Sequence, residues 1–86
     1  MNNLIISAIG SDRPGIVSDL TGIITSHGGN IEESRMTKLG VDFAIIMLVS
    51  VDSNWLESLE ISLQSIDELS IITKPTKVLE EIKKGL

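Results

Sequence analysis

The sequence contains no cysteine, and that absence excludes several kinds of function at once. Without thiols there is no disulfide framework, no thiolate nucleophile and no cysteine-based zinc site. The beginning of the chain also lacks the basic and then apolar pattern of a signal peptide. Its longest apolar runs fall far short of the roughly 20 residues that a membrane-spanning helix needs. We therefore expect a cytoplasmic protein with no membrane partner.

Aromatic residues are almost as scarce, since Phe43 and Trp55 are the only two. Stacking on nucleic-acid bases needs aromatic side chains, and binding the phosphate backbone needs clustered positive charge. The formal net charge of this chain is -5 at pH 7. We therefore expect no direct contact with nucleic acid.

Residues suited to catalysis are few as well. His27 is the only histidine, and no serine has a candidate base nearby. The carboxylates show no spacing that indicates an acid and base pair or a metal site. His27 falls on the same helical stripe as Ile16 and Leu20, so we expect it to pack at the end of a helix. The sequence predicts a protein that is not an enzyme and holds no cofactor.

The apolar pattern divides this chain of 86 residues into six elements of one small domain. Continuous or alternating apolar residues predict strands, and apolar residues three and four apart predict helices. In chain order, the pattern predicts a strand over 4–9, a helix over 15–27 that Gly28 and Gly29 end, and a charged edge strand over 30–38. A central strand follows over 41–51. The second helix is capped by Asp52 or Ser53 and has an apolar stripe of Trp55, Leu56, Leu59, Leu63 and Ile66, and the last strand covers 69–73 and is closed by Pro75.

The order βαββαβ predicts an α+β, ferredoxin-like sandwich over residues 1–74. Right-handed crossovers place strands one and three in the middle of an antiparallel four-stranded sheet, with both helices on one face. These two strands are apolar on both sides, so we expect them to be buried on both. Residues 75–86 form a tail whose Val78, Leu79, Ile82 and Leu86 predict a third helix. Either this tail or a second subunit must cover the other face.

The segment between the first strand and the first helix, residues 10–15, is a candidate anion site. Pro14 suits the first position of a helix, and Asp12 suits a cap. The backbone N–H groups of Gly15, Ile16 and Val17 would then have no partner inside the helix, and they and the helix dipole favour a carboxylate or phosphate. The glycines at both ends leave room for a ligand or for a second backbone. Asp12 is equally compatible with a purely structural cap.

These residues resemble the ACT domain family, small ligand-sensing modules attached to enzymes and regulators of amino-acid metabolism. The resemblance covers residues 3–74 and depends on the 12–17 segment, on the turn from Gly28 to Ile31, and on the βαββαβ order. More narrowly, residues 9–17, 30–36 and 39–48 are similar to the transcriptional repressors of the glycine cleavage system. Those repressors carry two such domains in tandem, whereas this sequence has one.

The resemblance implies a homodimer that binds an amino acid where the loop before helix one meets the start of strand two of a neighbour. Backbone N–H groups would hold the carboxylate, and Asp12 or Asn30 would hold the ammonium group. A small ligand, glycine or serine, and a protein partner, an enzyme or a transcription factor, are then expected. The implied ligand-binding residues are Gly10, Ser11, Asp12, Arg13, Pro14, Gly15, Ile16, Val17, Asn30 and Ile31. The alternative is a dimerisation or interaction module without a ligand, since Gly10 offers no side chain and Asp12 is acidic.

Overall fold

Six elements follow one another along residues 1–77, the part of the chain that the computed structural model describes. They have the predicted order βαββαβ, and their helices are far too short to cross a membrane. The elements are β1 (Asn2–Ser11), α1 (Ile16–Ser26), β2 (Asn30–Leu39), β3 (Asp42–Val51), α2 (Ser53–Gln64) and β4 (Leu69–Thr76).

The four strands form one antiparallel sheet in the order β2-β3-β1-β4. This arrangement confirms the ferredoxin-like fold, with β1 and β3 in the centre and β2 at an edge. The predicted end of β4 is wrong, because the strand continues through Pro75 to Thr76. Pro75 pairs with Leu4 on one side only, and an edge strand tolerates a residue without an N–H group. The predicted third helix lies outside the described residues.

The core lies between the helices and one face of the sheet. Alternate residues of β1 and β3 point into it, and full burial of each large apolar side chain stabilises the fold by about 1.5–3 kcal/mol. Its largest fully buried members are Leu4, Ile6, Ile16, Leu20, Ile24, Phe43, Met47, Val49, Val51, Leu59 and Leu63. The second side of the central strands is not covered within residues 1–77, so its cover by the tail or by a second subunit stays a prediction. On the other face Ile9, Ile46 and Ile72 are 54%, 48% and 71% exposed, because both helices of residues 1–77 lie on the opposite face.

Helix α1 ends as the pair of glycines predicts. Gly28 has a φ of 71°, and its N–H group donates to the Thr25 carbonyl. The N–H group of Gly29 donates to the Ile24 carbonyl. These two bonds make a Schellman motif, which satisfies carbonyl groups at the helix end. A Cβ atom at Gly29 would lie only 2.8 Å from the Ile24 carbonyl oxygen, so this motif requires glycine. The turn then sends the chain directly into β2 at Asn30.

Helix α2 begins at a side-chain cap. The Asp52 carboxylate accepts a hydrogen bond from the Asn54 N–H group at 2.9 Å, which selects Asp52 over Ser53. Trp55 does not reach the core with the rest of its stripe and is 47% exposed. It packs against His27 instead, with the two rings edge to face and their centroids 5.9 Å apart.

His27 is placed at the C-terminal end of α1, where it joins the two helices. Its Nδ1 atom lies 2.7 Å from the carbonyl oxygen of Ile23, and its Nε2 atom lies 3.2 Å from the Ser62 hydroxyl of α2. Since a carbonyl oxygen only accepts, Nδ1 carries the hydrogen. The predicted packing role at the helix end is confirmed.

Candidate functional site

The loop between β1 and α1 contains a tight turn of residues 13–16. The Ile16 N–H group donates to the Arg13 carbonyl at 3.2 Å, and Gly15 has φ 82° and ψ -3°. Proline followed by a residue with positive φ is the pattern of a type II turn, which favours glycine at the second central position. Pro14 therefore initiates a turn, and the prediction that it is the first helical residue is wrong. The glycine starts the helix by accepting the first helical hydrogen bond from Asp19.

Three backbone N–H groups at this helix start donate no hydrogen bond within residues 1–77. They belong to Gly15, Val17 and Ser18. The predicted set was partly wrong, since the Ile16 N–H group closes the turn and Ser18 takes its place. The Ile16 side chain is buried and that of Val17 packs on the core, so only their backbone can meet a ligand. Oriented N–H groups at a helix N-terminus attract an anionic oxygen.

Asp12 does not cap α1. The helix cap is Gly15, and it has no side-chain hydrogen bond. The Asp12 carboxylate instead lies 3.1 Å from Lys38 Nζ in β2, and its N–H group donates to the Val41 carbonyl at 2.9 Å. The type II turn explains this outcome, because it separates Asp12 from the first helical N–H groups by three residues. Ser11, the last residue of β1, has its hydroxyl 3.5 Å from the Asp42 carboxylate.

Arg13 holds the loop from the opposite side. Its Nε and Nη2 atoms donate to the two carboxylate oxygens of Glu68, Nη2 also donates to Asp19 at 2.8 Å, and Nη1 donates to the Pro14 carbonyl at 3.0 Å. Four of its five N–H donors are thus occupied. The Arg13 guanidinium lowers the pKa of the Glu68 carboxyl, and the two carboxylates raise the pKa of Arg13. This side chain therefore positions the loop against α1 and the start of β4.

Gly10 lies where β1 passes closest to the start of β4. A Cβ atom there would be 2.5 Å from the Glu68 carbonyl oxygen and 2.7 Å from Leu69 Cδ2. The space beside Gly10 is therefore filled by the chain itself, and the same holds at Gly29. The prediction that Gly10 leaves room for a ligand is wrong. Of the two open alternatives at Gly10, the structure selects the approach of a second backbone.

Asn30 and Ile31 begin β2. The Asn30 amide donates to the Glu32 carboxylate at 2.6 Å, and the Ser50 hydroxyl donates to the same oxygen at 2.9 Å. These hydrogen bonds, that from Asn30 first, lower the pKa of the Glu32 carboxyl. The pairing of β2 with β3 skips Glu32, which is the extra residue of a β-bulge. Ile31 packs against the core.

The two halves of the implied site lie at opposite ends of the sheet. Asn30 pairs with Ser50, which pairs with Asn3, whereas the loop leaves β1 after Ser11. The eight residue steps from Asn3 to Ser11 span about 26 Å at the usual rise of a strand. One copy of the chain therefore does not bring the loop and Asn30 together.

Two concave regions lie near these residues. A shallow groove of about 530 Å³ runs along α1 from the Arg13 and Glu68 pair, with Ser18 and Gly22 in its wall. A smaller depression of about 220 Å³ lies on the uncovered sheet face between Ile5, Arg35 and Leu48. In residues 1–77 no three His, Asp or Glu side chains are placed to hold a metal ion.

Sequence reasoning missed the residues that lock the loop in place, namely Lys38, Glu68 and Asp19. Each is charged and complementary to Asp12 or Arg13, which was the only signal available in the sequence. Choosing among many charged residues requires the strand register, which brings Gly10 beside Leu69 and Ser11 beside Asp42. The hydrogen bond between Glu32 and Ser50 could not be predicted for the same reason, because no sequence pattern indicates the bulge at Glu32.

Comparison with known proteins agrees with this fold. The glycine cleavage system transcriptional repressor of Escherichia coli (strain K12) is 47% identical over 60 residues, which cover 70% of this chain and 32% of the repressor. A crystal structure provisionally assigned to the same kind of repressor superposes with a TM-score of 0.81 at 31% identity, and the match covers 90% of this chain and 46% of that one. This chain thus spans less than half the length of these two relatives.

A single-domain relative matches over nearly its whole length. The ACT domain protein from Streptococcus pneumoniae superposes with a TM-score of 0.68 at 26% identity, over 86% of this chain and 89% of that one. The family model of the ACT domain matches residues 2–75, which is almost all of the described structure. The chain belongs to the ACT domain family of regulatory ligand-binding domains.

Proposed function

We propose that this domain is a non-catalytic regulatory module that binds a small amino acid, glycine or serine, between two copies of the chain. The observation that carries the proposal is the set of N–H groups of Gly15, Val17 and Ser18, which donate no hydrogen bond within residues 1–77. A carboxylate is the group they suit, because they supply several aligned donors at the positive end of a helix dipole. The proposed site residues remain those implied by the family, and the backbone of residues 11–17 forms the part of the site that binds the carboxylate.

The ammonium half comes from the start of β2 of the second copy. Asn30 and Ile31 lie about 26 Å from the loop of their own chain, so only a neighbour can bring them to it. The carbonyl oxygen of the Asn30 side chain can accept from an ammonium group while its amide nitrogen stays bonded to Glu32. Asp12 can accept as well if the ligand replaces Lys38. A small ligand fits because the chain itself fills the space beside Gly10 and Gly29.

Regulation follows from where the ligand binds. A molecule that contacts two copies at once stabilises one relative arrangement of the subunits by its differential affinity. The partner that reads this arrangement would be a transcription factor or an enzyme of amino-acid metabolism, as the similarity to a transcriptional repressor supports. The site of action is then the cytoplasm.

A second candidate is a dimerisation or interaction module without a ligand. The side chain of Arg13, the strongest carboxylate-binding group of the loop, is already bonded to Glu68 and Asp19. Asp12 is bonded to Lys38. If these contacts never open, the loop serves only to hold α1 against the sheet.

Thermal unfolding in the presence of each of the twenty amino acids distinguishes the two candidates. At about 1,000 times the dissociation constant, a ligand adds about 4 kcal/mol to the free energy of unfolding. Glycinamide, which lacks the carboxylate, and acetate, which lacks the ammonium group, are matched controls that should give no shift. Trp55, the only tryptophan, packs beside Gly28 near Asn30 and gives a fluorescence signal for binding. If no amino acid shifts the transition at millimolar concentration, the sensing role is wrong.

A further inference from the structure

The uncovered face of the sheet carries one continuous apolar patch. Its residues come from β1, β3 and β4 and lie side by side, with Leu48 next to Ile5 and with Ile46 and Ile72 on either side of Ser7. We call this surface the apolar patch, and its members are Ile5, Ile9, Ile46, Leu48 and Ile72. The depression of about 220 Å³ lies at one end of it, between Ile5 and Leu48. A contiguous exposed apolar surface usually marks contact with another segment or molecule.

The last described residues lie at a corner of this same face. Thr76 ends β4 and pairs with Asn3 of β1, and Lys77 is the last residue that the structure describes. The sequence continues with residues 78–86, whose apolar members Val78, Leu79, Ile82 and Leu86 would share one side of a helix. A strand and a helix need a connection of only about two residues, which Lys77 and Val78 supply. The apolar segment therefore starts beside the apolar patch.

The length of this segment matches the nearer part of the patch. As a helix, residues 79–86 span about 10 Å. Along β1, Ile5 lies about 7 Å from Asn3, Ser7 about 13 Å and Ile9 about 20 Å. A helix that runs back over the sheet from its corner thus covers Ile5 and its neighbours and stops short of Ile9. Since so short a helix is unstable alone in water, its stability would depend on this contact.

Opposite charges border the patch on its two sides. The register places Lys74, Ile5, Leu48 and Glu33 in one row across the four strands. The row therefore has a cation on β4, an acid on β2 and apolar side chains between them. Lys74 is exposed and belongs to no ion pair within residues 1–77, whereas Glu33 is paired with Arg35.

The charges of residues 79–86 match this row in both sign and side. Successive helical residues are about 100° apart, so Glu81 and Lys83 would lie on opposite flanks of the apolar stripe. For an observer who looks along the docked helix from its start, with the sheet below, right-handed crossovers place β4 on the right and β2 on the left. A right-handed helix then turns Glu81 to the right and Lys83 to the left. Glu81 thus faces Lys74, and Lys83 faces Glu33.

We propose that residues 79–86 form a third helix that docks on the apolar patch of its own chain. Ile82 lies over the depression between Ile5 and Leu48, and Glu81 pairs with Lys74. A segment joined directly to the sheet has an effective concentration in the millimolar range, which favours it over a second molecule. The nearer part of the face is then closed to other partners, while Ile9 stays accessible. This docking does not depend on the proposed amino-acid binding.

Disulfide cross-linking in the full chain tests the docking, because the sequence contains no cysteine that could interfere. In L48C/I82C the two thiols should lie within reach of each other, so mild oxidation should form a disulfide within one chain. Non-reducing electrophoresis and mass spectrometry identify that product. I9C/I82C is the matched control, since its first cysteine lies on the same face but beyond the helix. It should cross-link about tenfold less at equal times. I46C/L86C is a second pair that should also cross-link if L48C disturbs folding.

Exchange of charges tests the direction of the helix. K74E should slow cross-linking of L48C/I82C about threefold, the size expected for an exposed ion pair, and adding E81K should restore the rate. Adding E80K in its place is the control, because residue 80 points away from β4, and it should not restore the rate. Restoration by E80K but not by E81K would overturn the orientation.

Three results of cross-linking would overturn the docking itself. Equal cross-linking of I9C/I82C and L48C/I82C would mean that the segment has no fixed place on the sheet. A covalent dimer in place of the product within one chain would mean that the segment covers a second copy. The absence of any disulfide in both L48C/I82C and I46C/L86C, with cooperative urea unfolding of the reduced proteins, would leave the patch open to another occupant.

Discussion

The guanidinium group of Arg13 donates two parallel hydrogen bonds to the carboxylate of Glu68, 55 residues further along the chain. One of them, from Nη2 to Oε1, is 2.7 Å long. Bidentate pairs of this kind fix both the distance and the orientation of the two groups. The pair ties the loop before α1 to the start of β4, and so it sets the position of the N–H groups proposed to bind a carboxylate.

Acid should weaken this connection in a defined pH range. The folded-state pKa of Glu68 lies below its ordinary value of 4.5, because Arg13 donates to the ionised form. The stabilisation is therefore fully present above pH 4.5 and is lost as the pH falls through the folded-state pKa. In urea denaturation, wild type should exceed Glu68→Gln in free energy of unfolding at neutral pH, and the difference should disappear in acid. Glu57→Gln, an exposed carboxyl without an ion pair in residues 1–77, is the control. A difference that does not change with pH would contradict the assigned cause.

Replacing Gly10 with alanine should destabilise the fold. The new Cβ atom would lie 2.5 Å from the Glu68 carbonyl oxygen, so β1 and the start of β4 must move apart. Overpacking of this kind costs about 1–3 kcal/mol. Gly22→Ala is the matched control, because nothing lies within 4 Å of its added methyl group and alanine favours the helix by about 1 kcal/mol. Chemical denaturation should therefore give changes of opposite sign, and a neutral Gly10→Ala would show that the close approach is not rigid.

The turn at Gly15 should be equally intolerant of a side chain, for a different reason. Its φ of 82° is a left-handed conformation, which costs an L-residue about 1–2 kcal/mol. Gly15→Ala should lower stability by that amount although no atom of another residue blocks the methyl group closer than 3.7 Å. It should also weaken amino-acid binding, since it disturbs the N–H groups at the helix start. If both stability and binding are unchanged, the turn is not the one described.

The two aspartates that precede the helices should behave differently. Asp52→Ala removes a cap whose carboxylate accepts from Asn54, so it should cost about 1 kcal/mol of unfolding free energy. Asp12→Ala removes only a contact with an exposed Lys38 and should cost less. Urea denaturation of the two variants under the same conditions makes the comparison. A larger loss at Asp12 than at Asp52 would mean that Asp12 supports α1 after all.

The elements could be predicted from local patterns because each depends on neighbouring residues. The stripe that includes Leu20 and Ile24 determines the buried side of α1, and the left-handed Gly28 ends it. The site could be predicted only in part. Proline and glycine at positions 14 and 15 are compatible with both a helix start and a type II turn, and the sequence pattern does not decide between them. The type II turn places Asp12 beside Lys38 and away from the first N–H groups of α1.

What the sequence alone determined is the order of elements and the inner position of β1 and β3, because hydrophobic period and turn residues act over short distances. Only the tertiary structure decided which polar and charged side chains contact each other. Arg13 pairs with Glu68, Asp12 pairs with Lys38, and Asn30 donates a hydrogen bond to Glu32. These contacts depend on strand register and on one bulge. The same register places the two halves of the proposed site at opposite ends of the sheet, and that distance is the physical reason why the proposal requires a second copy.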